Sequence, residues 1–214
     1  MMRMTPAFLM AFAAAAAGGA AAAPEPRLPA AHLPVPLVRQ ATDYSCGAAA
    51  MLAALYYWKA FEGPESELYP LLGTTPKDGT DPRSMRAAAE RLGLAARLQE
   101  GMTLEDLSAA LGKGETVILD LQAWSDPAAP PVKWANRWED GHYVVLVGTD
   151  AQHVYVMDPS VAAGYGHIPL TELYERWHDY EDRDGKMWRN QHLGLILSGK
   201  EHIAAYPAPL ERIR

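Results

Sequence analysis

From residue 46 the chain runs through thirteen residues without a charge, CGAAAMLAALYYW, dominated by Ala, Met and Leu. These are strong helix formers, so the run predicts a helix from Cys46 to about Trp58, capped by Asp43 or Ser45, with Gly47 its one weak spot. A second helix is marked by DPRSMRAAAERLG, where Asp81 stands at the N-cap, Pro82 at the first helical position and Gly93 just past the end. A third, TLEDLSAALG, opens with Thr103 as cap, carries Glu105 and Asp106 in its first turn and has Gly112 as its stop. The period then changes. ETVILDLQAW (115–124), HYVVLVG (142–148), HVYVMDP (153–159) and LGLILSG (193–199) are short apolar runs bounded by Gly, Asp or Pro, and they read as strands. TDAQ (149–152) makes a hairpin turn between two of them, and ELYERWHDY (172–180) reads as a short helix before the last strand. A helical front half followed by a mostly antiparallel sheet is an α+β domain.

Ahead of this pattern, Arg3 precedes an alanine-dominated run that ends at Pro24. The run has no polar face, as a helix of the fold would, and it ends in small residues suited to cleavage near Ala22 or Ala23; residues 1–23 therefore read as a signal peptide. A Pro-rich leader (24–35), a single domain (36–200) and a C-terminal tail (201–214) complete the expected organisation, which belongs in the periplasm or outside the cell. The formal net charge of −7, with Lys and Arg scattered, argues against nucleic acid as a partner and, after signal cleavage, against a membrane. One cysteine cannot form an internal disulfide, and neither a zinc pattern nor a repeat is present. His153 and His167 lie in reach of Asp158, but without HExxH-like spacing they read as solvated strand-end histidines rather than metal ligands.

The lone thiol sits where chemistry favours it. Cys46 in the first turn of a helix faces unpaired N–H groups and the positive end of the helix dipole, and both favour thiolate. Gln40, six residues upstream, can aim an amide N–H at an oxyanion formed when Cys46 attacks a carbonyl. Gly47 would leave room for a substrate backbone. His142 opens one strand and Asp158 ends the next; across a short antiparallel hairpin these positions are neighbours, so Asp158 can fix the imidazole tautomer and leave the other nitrogen for Cys46. Singly, each residue has an ordinary reading: a buried small hydrophobe, a surface amide, a strand end, a turn initiator before Pro159. Together they point to nucleophilic catalysis without a cofactor or metal. The long loop SDPAAPPVKWANRWEDG (125–141) carries Trp134 and Trp138, which read first as packing residues and second as a substrate lip.

Gln-x5-Cys-Gly before a helix, then GHYVVLVG, then VYVMDPS, resemble the double-glycine leader peptidases that process bacteriocins, within the papain-like superfamily. The likeness extends from about Pro36 to Gly199 and includes GYGHIPLTELYERWHD, similar to stand-alone exported members. It implies a papain-like fold with Gln40 as oxyanion residue, Cys46 as nucleophile, His142 as general base and acid, and Asp158 as orienting residue. The acidic residue many members carry before the Cys is Ser45 here, and no phosphate-loop motif or membrane bundle follows. The expected function is an exported cysteine peptidase acting on a peptide or protein, with an export system as a further candidate partner. A cysteine amidase or transpeptidase on cell-wall or thiol peptides, or a catalytically silent peptide-binding module, are the alternatives.

Overall fold

The computed structural model describes residues 26–125, 133–161, 164–183 and 185–213. The signal segment and residues 126–132 of the Pro-rich loop lie outside the described residues. The apolar run beginning at Cys46 forms α1 (Cys46–Tyr57), and because it is apolar on every side it lies inside the molecule, with ten of its twelve residues buried. After α2 (Glu65–Leu72), α3 (Pro82–Arg91) starts as the sequence predicts, with Asp81 accepting the Arg83 N–H at 2.7 Å. Strand β1 (Ala95–Gln99) leads to α4 (Leu104–Gly112), whose Thr103 and Asp106 form a reciprocal capping box.

The remaining elements are β2 (Thr116–Gln122), β3 (Gly141–Thr149), β4 (His153–Met157), β5 (Tyr165–Pro169), α5 (Leu170–Arg176), β6 (His178–Arg183), β7 (Lys186–Gln191), β8 (Gly194–Ser198) and β9 (Leu210–Arg212). Seven strands form one sheet in the order β1-β8-β2-β3-β4-β5-β9, antiparallel except where β9 joins β5. Strands β6 and β7 make a separate ribbon. Alternation along the strands divides the core: Ile118, Val145, Tyr155 and Met157 pack with α1, while Leu119, Val144, Leu146 and Val156 pack with Leu107 of α4 and with Leu173 and Trp177. This is the expected α+β architecture.

Three boundaries differ from the sequence reading. The helix expected over 172–180 stops at Arg176, and its second half is β6. The Pro-rich leader is packed rather than separate: Leu33 and Val35 are buried, Leu33 donates its N–H to the Val147 carbonyl at 2.7 Å, and Tyr165 Oη donates to the Val35 carbonyl at 2.7 Å. The tail also belongs to the domain, because β9 pairs the open side of β5 and Ile213, 1% exposed, fills the space over Gly166 where any side chain would overlap it.

Candidate active site

Ser45 is the N-cap residue of α1, yet its side chain makes no capping bond to the helix. Its hydroxyl turns back, accepting the Thr42 N–H at 3.1 Å and donating to the Thr42 carbonyl at 3.3 Å. The first-turn N–H groups are thereby left for the thiol one residue on. Burial pushes the Cys46 thiol up, but the hydrogen bond and charge of His142, with the N–H groups of Tyr143 and Gly47, outweigh it and hold the thiol below its ordinary value.

His142 is the second residue of β3, and a β-bulge between Leu146 and Gly148 adjusts the register of β3 on β4. Its Nε2 lies 2.7 Å from Oδ1 of Asp158, and both side chains are buried. The Ser160 N–H donates to the same oxygen at 2.8 Å and fixes the carboxylate. With Nε2 engaged, Nδ1 is the nitrogen that remains for Cys46. Burial presses the imidazole towards its neutral form, whereas Asp158 and the thiolate favour the cation and lift its pKa to about 10. One lowered thiol and one raised imidazole describe a single thiolate–imidazolium pair that shares its proton. Such a pair can attack a carbonyl and return a proton to a departing amine.

Gln40 stands beside this group through the loop after Asp158. Its N–H donates to the Pro159 carbonyl at 3.0 Å, its Oε1 accepts the Ser160 hydroxyl at 2.8 Å, and its Nε2 donates to the Thr42 carbonyl at 2.7 Å. Those partners settle the amide orientation, since a carbonyl can only accept, and they leave Nε2 a second N–H. Gly47 does not open a path for substrate as the sequence suggested: a Cβ there would lie 2.7 Å from Cβ of Thr80 and 3.1 Å from the Tyr143 ring, so close packing requires this glycine. Trp134 is not a lip either. It is buried, with the Arg176 guanidinium 3.8 Å from its ring centre. Trp138 does line a cleft of about 540 Å³ that opens onto Cys46, and its ring lies 4.3 Å from that of His178. His153 and His167 stack edge-on at 5.2 Å, with His167 buried within β5 rather than solvated at a strand end, and no metal-binding cluster occurs among the described residues.

Two residues carry more of the site than their sequence positions suggest. Trp124 has φ of +68°, an unusual value for a bulky residue, and this turns its ring to 4.9 Å from that of His142. Gln122 is fully buried; it donates to the His178 carbonyl and to Asp179 Oδ1, each at 3.1 Å, and accepts the Asp140 N–H at 3.1 Å, joining β6 to the turn that precedes His142.

A thiol at the start of a buried helix, hydrogen-bonded to a strand-borne imidazole that in turn meets a carboxylate, is the arrangement of papain-like cysteine peptidases. Residues 34–181 match the model of the Peptidase C39 family, and the chain belongs to that family. It is 30% identical over 152 residues to a Pseudomonas aeruginosa protein described as a probable functional amyloid protease, FapD; the match takes in 66% of this chain, which spans 57% of that relative's length. Solved structures share the fold. A double glycine motif protease from an AMS/PCAT transporter, in complex with the leader peptide, superposes with a TM-score of 0.55 at 23% identity, covering 79% of this chain and 94% of that one. The peptidase domain of Streptococcus ComA, a bifunctional ABC transporter, gives 0.53 at 16% identity over 78% and 99% of the two chains. A putative C39-like peptidase from Bacillus anthracis gives 0.52 at 16% identity over 79% and 96%. Among the described residues no helix is long and apolar enough to cross a membrane.

Proposed function

We propose that the protein is exported and hydrolyses peptide bonds of a peptide or protein outside the cytoplasm, with Cys46 as nucleophile. The observation that carries this reading is the 2.7 Å contact between His142 Nε2 and Asp158 Oδ1, which leaves the other ring nitrogen for a thiol at the N-terminus of α1. The thiolate adds to the scissile carbonyl, and the oxyanion is met by the Cys46 N–H and the free N–H of Gln40. His142 then gives its proton to the departing amine. Water, deprotonated by the same imidazole, releases the acyl group and restores the thiol. Asp158 steadies the imidazolium and keeps its tautomer. Export rests on the Arg3-led alanine run at residues 1–23, and the double-glycine relatives make an export system the partner such a location suggests.

A proteome-derived peptide library incubated with the purified protein tests the reading by mass spectrometry of new peptide termini. Discrete cleavage sites that vanish in Cys46→Ala are expected. Cleavage that survives Cys46→Ala, or no cleavage by protein whose thiol reacts rapidly, would overturn it.

A further inference from the structure

Glu65 is the first residue of α2, and unlike most carboxylates it is buried, at 8% exposed. An acidic residue in a first helical turn ordinarily stays in water and complements the helix dipole. Here the carboxylate is used elsewhere. Its Oε2 accepts the N–H of Ala41, 24 residues upstream, at 3.0 Å, and its Oε1 accepts the Tyr69 hydroxyl at 2.8 Å. Tyr69, one turn further along α2, also sets its ring 6.4 Å from that of Tyr44, which lines the cleft opening onto Cys46.

The Ala41 N–H belongs to the peptide unit that begins at the Gln40 carbonyl. The unit on the other side of the Gln40 Cα is held as well, because the Gln40 N–H donates to the Pro159 carbonyl at 3.0 Å. Peptide units are planar, so anchoring one on each side of a Cα fixes both dihedrals of that residue and the direction in which its side chain leaves the backbone. The other restraints on Gln40 come from Thr42 in its own turn and from Pro159 and Ser160 after Asp158. The turn itself closes inward, with the Ser45 hydroxyl bonded to both backbone groups of Thr42. The bond to Glu65 ties it outward, to a helix.

We propose that Glu65 is a positioning residue for the oxyanion site: through the Ala41 N–H it sets the backbone of Gln40 so that the second N–H of Nε2 points to where the negative oxygen forms, while Tyr69 steadies the carboxylate. The inference rests on the reading of Gln40 and the Cys46 N–H as oxyanion donors and adds a residue outside that group. Donors of this kind act only when aimed at the developing charge, so a small turn of the Gln40 backbone weakens them without touching the thiol. Reach, rather than charge, is what Glu65 contributes.

The single cysteine allows a test that needs no peptide substrate. Iodoacetamide alkylates the Cys46 thiolate by displacing iodide, and no oxyanion forms. With p-nitrophenyl acetate the thiolate adds to the ester carbonyl, and the resulting oxyanion collapses to a thioester with release of p-nitrophenolate. The ratio of first-turnover acetylation to alkylation therefore reports the oxyanion site. It should fall about tenfold in Glu65→Ala. Glu65→Asp, which keeps the charge but is one methylene short, should fall similarly, and it serves in place of Glu65→Ala should that variant not fold. Glu65→Gln, which keeps an oxygen at the same reach, should stay within about threefold of wild type, and the alkylation rate should be unchanged in every variant. In a Gln40→Ala background, removing Glu65 should cost less than about twofold more, since it acts through Gln40. A ratio unaltered in Glu65→Ala and Glu65→Asp, a loss that adds in full to that of Gln40→Ala, or a ratio unaltered by Gln40→Ala itself would overturn the inference and leave Cys46 as the nucleophile. A thiol that reacts with neither reagent until the protein unfolds would instead contradict the peptidase reading and the inference with it.

Discussion

The proposed chemistry draws on four side chains from four separate places in the chain, and each was visible in the sequence for a different reason. Cys46 is the only thiol and precedes an apolar helix; His142 and Asp158 flank a hairpin whose length places them together. Gln40 rested on distance along the chain, and in the structure it is tied to the carboxylate loop through Ser160. Trp124 carried no signal, since its role depends on a positive φ at the end of a buried strand, which no hydrophobic period records. Gly47 was legible as important but for the wrong cause, because tight contact with Thr80 and Tyr143 can only be read from packing. A prediction belongs at this scale. Gln40→Ala removes one oxyanion donor, and kcat should fall by about 10²–10³ with KM and the thermal midpoint little changed; unchanged kcat in a normally folded variant removes Gln40 from the site.

At the scale of elements, the long periodic segments were the readable ones. The apolar run of α1, the capped helices α3 and α4, and the Val- and Leu-rich strands β2, β3, β4 and β8 all form where periodicity and caps place them. The ribbon β6–β7 was hidden because its residues are mostly polar and exposed, so no alternation marks it, and β9 is three residues long. This ribbon brings Asp179 against Asp120 of β2, and the pairing has a pH consequence. In the unfolded chain both carboxyls ionise near pH 4, whereas in the folded pair Asp179 keeps its proton to about pH 6 and Asp120 is held well above its ordinary value. The unfolded state therefore binds fewer protons across that window, and the pair lowers stability as pH rises through it, with no such penalty below both values. Asp120→Asn should raise the thermal midpoint at pH 8 and much less at pH 4, each relieved pKa unit being worth about 1.4 kcal/mol, or about 3–6 °C in a chain of this size. An equal shift at both pH values would contradict the shared-proton account.

Over the whole molecule, the segments expected to lie outside the domain help to close it. Val35 and Leu33 seal one side of the core, and β9 with Ile213 covers the far edge of the sheet. Composition misled here, since proline-rich and short terminal stretches read as linkers until their few apolar residues are seen to be buried. Ending the chain after Lys200 should lower the stability by at least about 2–5 kcal/mol, the usual cost of losing one large buried aliphatic side chain, measured by urea unfolding; an unchanged midpoint would show that the edge is not needed. The same closure brings α1 to β3, so the reactive thiol exists only in the folded chain. Its most direct test is the rate of Cys46 alkylation by iodoacetamide against pH, in wild type, in His142→Ala and in urea. Wild type should react rapidly in mild acid, with an apparent thiol pKa well below the free value of about 8.5. Without His142 only the Tyr143 and Gly47 N–H groups remain against the larger effect of burial, so the pKa should move up well above the wild-type value, and the urea-unfolded chain should follow the free thiol. A wild-type curve that rises only near the free-thiol pKa and is unchanged in His142→Ala would contradict the thiolate–imidazolium pair on which the account depends.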